Sequence, residues 1–257
     1  MMPGCSDTDT IMGRAAGAWL LLALFLGTAA AVAQTGTAND PYAAPRRALV
    51  AELRADANSM LSARSRLDGG VLDVLGRVPR HLYVPQSQRR HAYENRPLSI
   101  GHGQTISQPY IVALMTSLAR PRRGHKILEI GTGSGYQAAV LAETGAAVYT
   151  IEIIEPLGKR AAQLLGQQGY DNIETRIADG YYGWTEHAPF DGIVVTAATA
   201  SIPPPLIAQL KRGGRMVIPV GGSFMTQTLM LVEKGADGRV RTRQILPVRF
   251  VPLTGRR

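Results

Sequence analysis

The sequence predicts an α/β fold in which helices cover both faces of a mostly parallel β-sheet that ends in antiparallel strands. From residue 109 onward, short apolar segments of strand length alternate with segments of helical periodicity, which is the pattern of βαβ units. Near the C-terminus, two strand-like segments at 226–233 and 240–248 flank the turn-forming sequence KGADGR, and this arrangement predicts a β-hairpin. Together these observations indicate a doubly wound, Rossmann-like sheet with an antiparallel edge.

Length and composition are those of one catalytic domain with small extensions. The chain has 257 residues, of which 45% are hydrophobic, so it can bury a sizeable core. The single cysteine, Cys5, lies in the N-terminal segment, and the five histidines show no H-x-x-x-H spacing. We therefore expect no disulfide, no thiolate nucleophile and no metal site.

The N-terminal segment, residues 1–33, has the pattern of a secretory signal peptide. Arg14 precedes an uncharged stretch from 15 to 33, which ends in the small residues AVA at 31–33. The acidic residues before Arg14 are atypical of a signal, which leaves Met12 as an alternative start. An uncleaved membrane anchor is the competing interpretation, because the stretch is close to the ~20 residues that span a bilayer. We expect cleavage, a periplasmic or secreted product, and no stable membrane insertion.

The formal net charge of +9 raises the question of an anionic partner such as nucleic acid. The basic residues are scattered along the chain in pairs, however, and no aromatic residues are interleaved with them. We interpret the charge as a solvated basic surface and expect no nucleic-acid partner.

The chain before residue 109 predicts helices followed by irregular structure. Residues 34–45 are small and polar and predict a flexible lead-in. Apolar residues at helical spacing predict one helix from Arg46 to about residue 63 and a second at 70–76. Residues 79–108 are rich in Pro, Gly, His and Arg and predict an ordered but irregular segment. We assign 46–108 to a substrate-side segment that precedes the core.

Residues 109–257 form the predicted core, and Pro109 occupies the favoured first position of its opening helix. The elements predicted before the C-terminal hairpin are, in order, helix 109–119, strand 126–130, helix 136–143, strand 147–152, helix 156–168, strand 172–177, strand 190–196, helix 203–210 and strand 215–220.

The strongest local signal is the sequence ILEIGTGSG at 127–135. A buried strand that leads through a glycine turn into a helix brings the backbone close to a ligand, because glycine has no Cβ. The glycines Gly131, Gly133 and Gly135 follow the spacing G-x-G-x-G, and Tyr136 stands where a dinucleotide-binding motif has its third glycine. This departure disfavours NAD as the ligand.

Acidic residues follow three successive predicted strands. Glu152 lies 21 residues after Gly131 and could accept both hydroxyls of a ribose; a solvated strand-end charge is the alternative. Asp179 could accept from an adenine amino group, although Asp-Gly is also a common turn. With Glu129, both fall at the carboxyl edge of the sheet, where open α/β sheets bind ligands. The absence of a P-loop lysine favours a nucleoside-type cofactor without phosphates.

The sequence IGHGQTISQPY at 100–110, with the following IVALMT, resembles the signature of the protein-L-isoaspartate (D-aspartate) O-methyltransferase family. Similar stretches lie upstream, at 78–80 and 93–96, and downstream as far as VRFVPL at 248–253, so the resemblance covers most of residues 46–253 in order. It implies a fold of the class I S-adenosylmethionine-methyltransferase type, with 109–257 as the cofactor-binding core.

The resemblance also implies roles for individual residues. Ser107 is placed at the catalytic centre, and Gln227 at a position that closes over the cofactor. Glu129 is expected to bind the amino-acid portion of the cofactor. The full set of expected cofactor-binding residues is Gln104, Thr105, Ile106, Glu129, Gly131, Thr132, Gly133, Gly135, Glu152, Asp179, Gly180 and Gln227.

The implied activity is methyl transfer from S-adenosyl-L-methionine to the free carboxylate of L-isoaspartyl residues, and also D-aspartyl residues, in damaged proteins. Such a carboxylate is ionised at neutral pH, since its ordinary pKa is near 4, so alignment of the reactants matters more than a general base. The resemblance also implies damaged proteins and peptides as partners, and the cytoplasm is the location typical of the family; we expect the protein to be a monomer.

Three other functions remain open from the residues alone. A methyltransferase that acts on a small-molecule carboxylate would share the fold. A serine hydrolase is disfavoured, because Ser134 has Thr132 rather than glycine two residues before it and so does not form a G-x-S-x-G elbow. A non-catalytic nucleoside-binding or nucleic-acid-binding module is the third. Ser107 itself could simply cap the helix that begins at Pro109.

Overall fold

Two helices and a small hairpin precede the central sheet. The structure is a computed structural model that describes residues 40–58, 66–222 and 225–255. Helix α1 (Ala43–Asn58) and helix α2 (Gly69–Arg77) pack against each other. The predicted continuation of α1 to about residue 63 lies outside the described residues, as do the predicted signal peptide at 1–33 and the first part of the lead-in.

Helix α1 begins three residues earlier than predicted, so residues 43–45 of the predicted flexible lead-in are helical. Asp40 fixes this entry, because its Oδ1 accepts the backbone N–H of Tyr42 (2.9 Å) and its Oδ2 pairs with Arg46 (2.8 Å). The start of α2 is held in a similar way by Asp68, whose Oδ1 accepts the N–H of Gly70 (2.8 Å) and of Val71 (3.2 Å).

The predicted irregular segment at 79–108 contains a hairpin that sequence analysis missed. Strand β1 (Leu98–Gly101) pairs antiparallel with strand β2 (Gln104–Ile106). The turn between them places Gly101, His102 and Gly103 at positive φ. Strands of four and three residues are too short to show a clear alternation in sequence, which is why the pattern was not recognised.

The central sheet has seven strands in the order β5-β4-β3-β6-β7-β8-β9. The first five are parallel and the last two antiparallel, which confirms the predicted α/β sheet and its antiparallel edge. The strands are β3 (Lys126–Ile130), β4 (Ala147–Glu152), β5 (Ile173–Ile177), β6 (Phe190–Val195), β7 (Leu210–Val220), β8 (Gln227–Lys234) and β9 (Val240–Val248).

Four helices flank the parallel strands: the first leads into β3, and the others connect β3 to β4, β4 to β5 and β6 to β7. They are α3 (Pro109–Ala119), α4 (Tyr136–Ala142), α5 (Glu155–Gln167) and α6 (Pro204–Gln209). The clearest difference from the predicted bounds is at β7, which begins at Leu210 rather than Arg215. Leu210, predicted as the last residue of a helix, instead pairs with Phe190, and an irregularity in register then leads to the pair of Gly192 with Arg215, so the strand also includes residues 211–214, for which no element was predicted.

Buried side chains form two clusters. Ile127 of β3 belongs to the cluster that includes α1 to α5, whereas Leu128 and Ile130 belong to the cluster that includes Leu206 of α6. Strand β3 thus contributes to both clusters, as expected for a central strand of a doubly wound sheet. Within the described ranges, no helix combines the length and the apolar character needed to cross a bilayer.

Candidate functional site

A narrow cleft opens at the carboxyl edge of the parallel strands, where β3, β4, β5 and β6 end. The glycine turn, the segment that leads from β2 into α3, and the C-terminal residues Val251–Thr254 form its walls. Ten residues predicted from sequence as site residues line it: Gln104, Thr105, Ile106, Ser107, Glu129, Gly131, Thr132, Gly133, Glu152 and Gly180. The fold therefore brings together predicted site residues that are up to 76 residues apart in the chain.

The glycine turn is anchored to both neighbouring strands. Gly131 has a φ of 95° and donates its N–H to the carbonyl of Ile151 in β4 (2.8 Å). The hydroxyl of Thr196, which follows β6, donates to the carbonyls of Ile130 (2.9 Å) and Gly131 (2.7 Å). A Cβ on Gly131 would overlap that hydroxyl oxygen, so both the backbone conformation and the space require glycine.

The carboxylate of Glu152 is oriented by three backbone donors. One oxygen accepts the N–H of Gly133 (2.8 Å), and the other accepts the N–H of Ile153 and of Ile154 (both 2.9 Å). The side chain is nearly buried but lines the cleft. Since a carboxylate has about four acceptor positions, it can also accept from a ligand that carries hydroxyl groups.

Glu129 is fully buried at the floor of the cleft. Burial raises the pKa of its carboxyl to about 8; a hydrogen bond from Thr150 opposes this, and the negative charge of Glu152 adds to it. The Thr150 hydroxyl donates to one carboxyl oxygen (2.5 Å), whereas the other oxygen, Oε1, has no hydrogen-bond partner among the described residues. A cationic ligand group would satisfy this oxygen and stabilise the ionised form.

Ser107 is half-buried in the wall of the cleft and does not cap helix α3. The N-cap residue is Gln108, and no side chain of that residue caps the helix. Instead, Asn95 accepts the N–H of Tyr110 in the first turn (3.1 Å). The capping interpretation of Ser107 is therefore wrong, because another residue satisfies this donor.

A second cavity, of about 430 Å³, lies on the other side of Ser107. The two spaces share Thr105, Ser107, Thr196 and Val251 as lining residues. The rest of the second cavity is lined by Pro97, by Gln108 and the start of α3, by Thr226, and by residues 246–250 at the end of β9 and beyond it. The shared wall places Ser107 between a narrow cleft and a larger, mainly apolar cavity.

Three residues expected to bind the cofactor do not line the cleft. Gly135 is the N-cap residue of α4 and lies against α5, where a Cβ would approach Leu165 to 3.3 Å. Asp179 accepts the N–H of Tyr181 (2.9 Å) and faces Gly255. The expected contacts of Gly135 and Asp179 with the cofactor stay predictions.

Gln227 is the third such residue, and its side chain is buried against the C-terminal segment. Its Oε1 accepts the N–H of Phe250 (2.8 Å), and its Nε2 donates to the carbonyl of the same residue (3.4 Å). The structure therefore places Gln227 outside the cleft, where its side chain positions the C-terminal segment that forms one wall of the cleft.

Sequence analysis missed two parts of the site. Thr196 follows a parallel strand at the same edge as Glu129 and Glu152, so the strand-end rule could have identified it. No sequence pattern predicted that residues Val251–Thr254 would line the cleft. They reach the cleft because Ala198 donates to the carbonyl of Val251 (2.8 Å) and accepts from Leu253 (2.8 Å).

The enclosed volume of the cleft is about 70 Å³. Ligand clefts ordinarily hold roughly 300–1,000 Å³. Two walls of the cleft, residues 104–107 and residues 251–254, lie outside the central sheet and the connections between its strands.

Comparison with known proteins identifies the family. The family profile described as protein-L-isoaspartate(D-aspartate) O-methyltransferase matches residues 54–257. The chain belongs to this family. A protein-L-isoaspartate O-methyltransferase 2 from Polaromonas sp. (strain JS666) is 66% identical over 82% of this chain and 97% of its own length. One of the same description from Syntrophobacter fumaroxidans is 58% identical over 94% of this chain and 98% of its own.

Two solved structures confirm the class I methyltransferase fold expected from the resemblance. A protein-L-isoaspartate O-methyltransferase superposes with a TM-score of 0.71 at 27% identity, over 82% of this chain and 66% of that one. A structure from Plasmodium falciparum assigned to the same family superposes with a TM-score of 0.70 at 23% identity, over 81% of this chain and 98% of that one. The latter is a complex with S-adenosyl-L-homocysteine.

Proposed function

We propose that this protein transfers a methyl group from S-adenosyl-L-methionine to the free carboxylate of L-isoaspartyl residues, and also of D-aspartyl residues, in damaged proteins. The observation that carries the proposal is the wall shared by the two cavities. Thr105, Ser107, Thr196 and Val251 line both the cleft with the buried acids and the larger cavity. A donor in the cleft and an acceptor in the cavity would therefore meet at Ser107.

The residues of the cleft fit the proposed cofactor. Glu129 has a buried oxygen that no described residue hydrogen-bonds, which suits the ammonium of the methionine portion. Glu152 is oriented to accept ribose hydroxyls, and Gly131 and Gly133 expose backbone without a Cβ in the way. When bound, S-adenosyl-L-methionine supplies a methyl group on a positively charged sulfur. Gln104, Thr105, Ile106 and Thr132 would complete the enclosure.

The chain's own residues contribute orientation rather than proton transfer. The isoaspartyl carboxylate is ionised at neutral pH, so it needs no base. The Ser107 hydroxyl can donate a hydrogen bond to this carboxylate and fix its line of approach, which is catalysis by positioning. His102 lies exposed in the β1–β2 turn, outside the residues that line either cavity.

The product explains why methylation would serve repair. A methyl ester is a better leaving group than a carboxylate, so the adjacent backbone nitrogen can displace methanol and close a succinimide ring. Hydrolysis of that ring returns part of the residue to normal aspartate. The part of the chain before the core, residues 46–108, supplies the β1–β2 hairpin next to the cavity and is the proposed substrate-side segment.

The test compares acceptors under one set of conditions. Purified protein is incubated with isotopically labelled S-adenosyl-L-methionine and with matched isoaspartyl, D-aspartyl and L-aspartyl peptides, beside a panel of small carboxylic acids. We expect label on the isoaspartyl peptide and none on the L-aspartyl peptide. Equal labelling of the small acids and the isoaspartyl peptide would instead support a small-molecule methyltransferase.

We also propose that residues 1–33 direct export and that the mature protein works as a monomer in the periplasm or beyond. The uncharged stretch that follows Arg14 and the AVA sequence at 31–33 support this. N-terminal sequencing of protein from the native host tests it, since cleavage would leave Gln34 as the first residue. Sedimentation equilibrium of the processed protein tests the oligomeric state.

A further inference from the structure

One positive charge lies on the wall of the larger cavity. Arg249 is the only charged side chain among the described residues that line it, and none of the remaining lining residues is acidic. The side chain is exposed, and no ion pair or hydrogen bond engages its guanidinium within the described part of the chain. An arginine in this setting is available to bind a negatively charged group of a ligand.

The backbone on both sides of Arg249 is held in place. Val248 pairs with Gln227 in the β8–β9 ladder, and Phe250 is clasped by the Gln227 side chain at both its N–H and its carbonyl. Because Gln227 is itself buried, this clasp is protected from water. Only the side-chain torsions of Arg249 remain to be ordered on binding, which lowers the entropic cost of recognition.

The charge that Arg249 would bind is not the reacting carboxylate. That group must reach the wall shared by the two cavities, which consists of Thr105, Ser107, Thr196 and Val251, and Arg249 lines only the larger cavity. A close ion pair would also reduce the nucleophilicity of the reacting oxygen. The position of Arg249 therefore corresponds to a residue beside the isoaspartyl residue in the polypeptide.

We propose that Arg249 is a specificity residue that selects isoaspartyl sites with an acidic side chain next to the damaged residue. The proposal rests on the proposed function and names a preference within it. An exposed pair of this kind favours the acidic peptide by about three- to fivefold in kcat/KM at low salt. The preference should weaken as ionic strength rises, because the pair is accessible to solvent.

The experiment measures kcat/KM for isoaspartyl peptides that differ at one neighbouring position, which is Glu, Gln or Lys, on either side of the isoaspartyl residue. For the wild-type protein we expect kcat/KM to decrease from the Glu peptide to the Gln peptide to the Lys peptide, for the neighbour on one of the two sides of the isoaspartyl residue. Arg249→Met should bring the ratio of Glu to Gln peptides close to one. Arg249→Glu should reverse the order in favour of Lys.

Arg241→Met is the matched control. Arg241 is also exposed and lies on β9, but it does not line the cavity, so this variant loses the same charge elsewhere. It should keep the wild-type preference. A loss of preference as large in Arg241→Met as in Arg249→Met would show an effect of net charge and overturn the proposal.

The possible failures are distinguishable. Equal kcat/KM for all neighbours in the wild-type protein would overturn the role of Arg249 and leave isoaspartyl methylation intact. No methylation of any isoaspartyl peptide would overturn the proposed function and the specificity together. Folding of each variant is checked by its affinity for S-adenosyl-L-homocysteine, which a change at Arg249 should leave within about twofold, since its side chain does not line the cleft.

Discussion

The cofactor cleft and the larger cavity are built in different ways. The cleft is lined by short runs of residues where parallel strands end, together with residues 104–107 and 251–254, and backbone hydrogen bonds orient one of its acidic groups, Glu152. The cavity combines Pro97, the start of α3 and the end of β9, which are distant in the chain. Both spaces therefore depend on packing between distant segments, but in the cleft the backbone near the strand ends also orients an acidic group, whereas the described residues that line the cavity include no such backbone-oriented acid.

This difference indicates which substitutions should affect which substrate. Changes in the glycine turn should abolish cofactor binding and also cost stability, because the turn joins β3 to both neighbouring strands. Changes on the cavity side should alter the acceptor kinetics while the cofactor still binds. The following predictions test this separation, from the largest expected effect to the smallest.

Gly131→Val should remove the cleft. The valine side chain would collide with Thr196, and the valine backbone would have to adopt a φ of 95°. We expect loss of detectable S-adenosyl-L-homocysteine binding by calorimetry and destabilisation by about 2–4 kcal/mol in urea unfolding.

Gly166→Ala is the control for that change. Gly166 lies in α5 with no neighbour in the way of a Cβ, so alanine should stabilise the protein by roughly 0.5–1 kcal/mol and leave binding unchanged. If Gly131→Val binds the cofactor product normally, the glycine turn is not the cofactor site.

Glu152→Ala should weaken cofactor binding by about 100-fold, because it removes a carboxylate acceptor for charge-assisted hydrogen bonds. The measurement is the dissociation constant of S-adenosyl-L-homocysteine. Glu155→Ala removes an exposed carboxylate three residues later and should change that constant by less than about twofold. Similar constants for both variants would contradict the ribose role of Glu152.

Ser107→Ala should lower kcat for the isoaspartyl peptide by about tenfold while cofactor affinity stays the same, because the lost hydrogen bond is to the acceptor. Ser99→Ala, at an exposed position of the same hairpin, serves as the control. Full methylation by Ser107→Ala at saturating cofactor would exclude a catalytic role for this hydroxyl.

Glu129 should couple cofactor binding to proton release. Its raised pKa of about 8 means that the carboxyl is protonated in the free protein at pH 7, and a bound ammonium would favour its ionised form. Affinity should therefore increase from pH 6 to about pH 8, with release of up to roughly one proton. Calorimetry in buffers of different ionisation enthalpy measures the number of protons released on cofactor binding. The variant Glu129→Gln should release no proton.

The Glu129 carboxyl should also make the stability of the free protein depend on pH, but stability should fall as pH rises, whereas cofactor affinity should increase. The unfolded carboxyl ionises near its ordinary pKa of 4.5, whereas the folded one stays protonated until about pH 8. The free energy of unfolding of the free protein should therefore fall as pH rises between these values, relative to Glu129→Gln. An identical pH dependence in both proteins would mean that the Glu129 carboxyl is not buried in this way.

Much of the sheet was predictable from sequence, because short apolar strands and Gly or Pro boundaries are local signals. The bounds of β3, β4, β9 and α3 agree with the prediction, and Gly131, Gly133 and Glu152 line the cleft, whereas Gly135 does not. The β1–β2 hairpin was missed because its strands are short. The position of Asn95 at the start of α3 was also missed, since nothing within four residues of α3 indicates it.

The amino-acid sequence by itself determined the order of the strands and helices after residue 109, the glycine turn that follows β3 and the family signature around Ser107, because each of these depends on residues that are neighbours in the chain. Only the tertiary structure decided that Val251–Thr254 close the cleft, that Gln227 holds Phe250, and that the cleft and the cavity share a wall. These features depend on contacts between segments up to about 150 residues apart, and the energy of such contacts depends on which surfaces folding brings together.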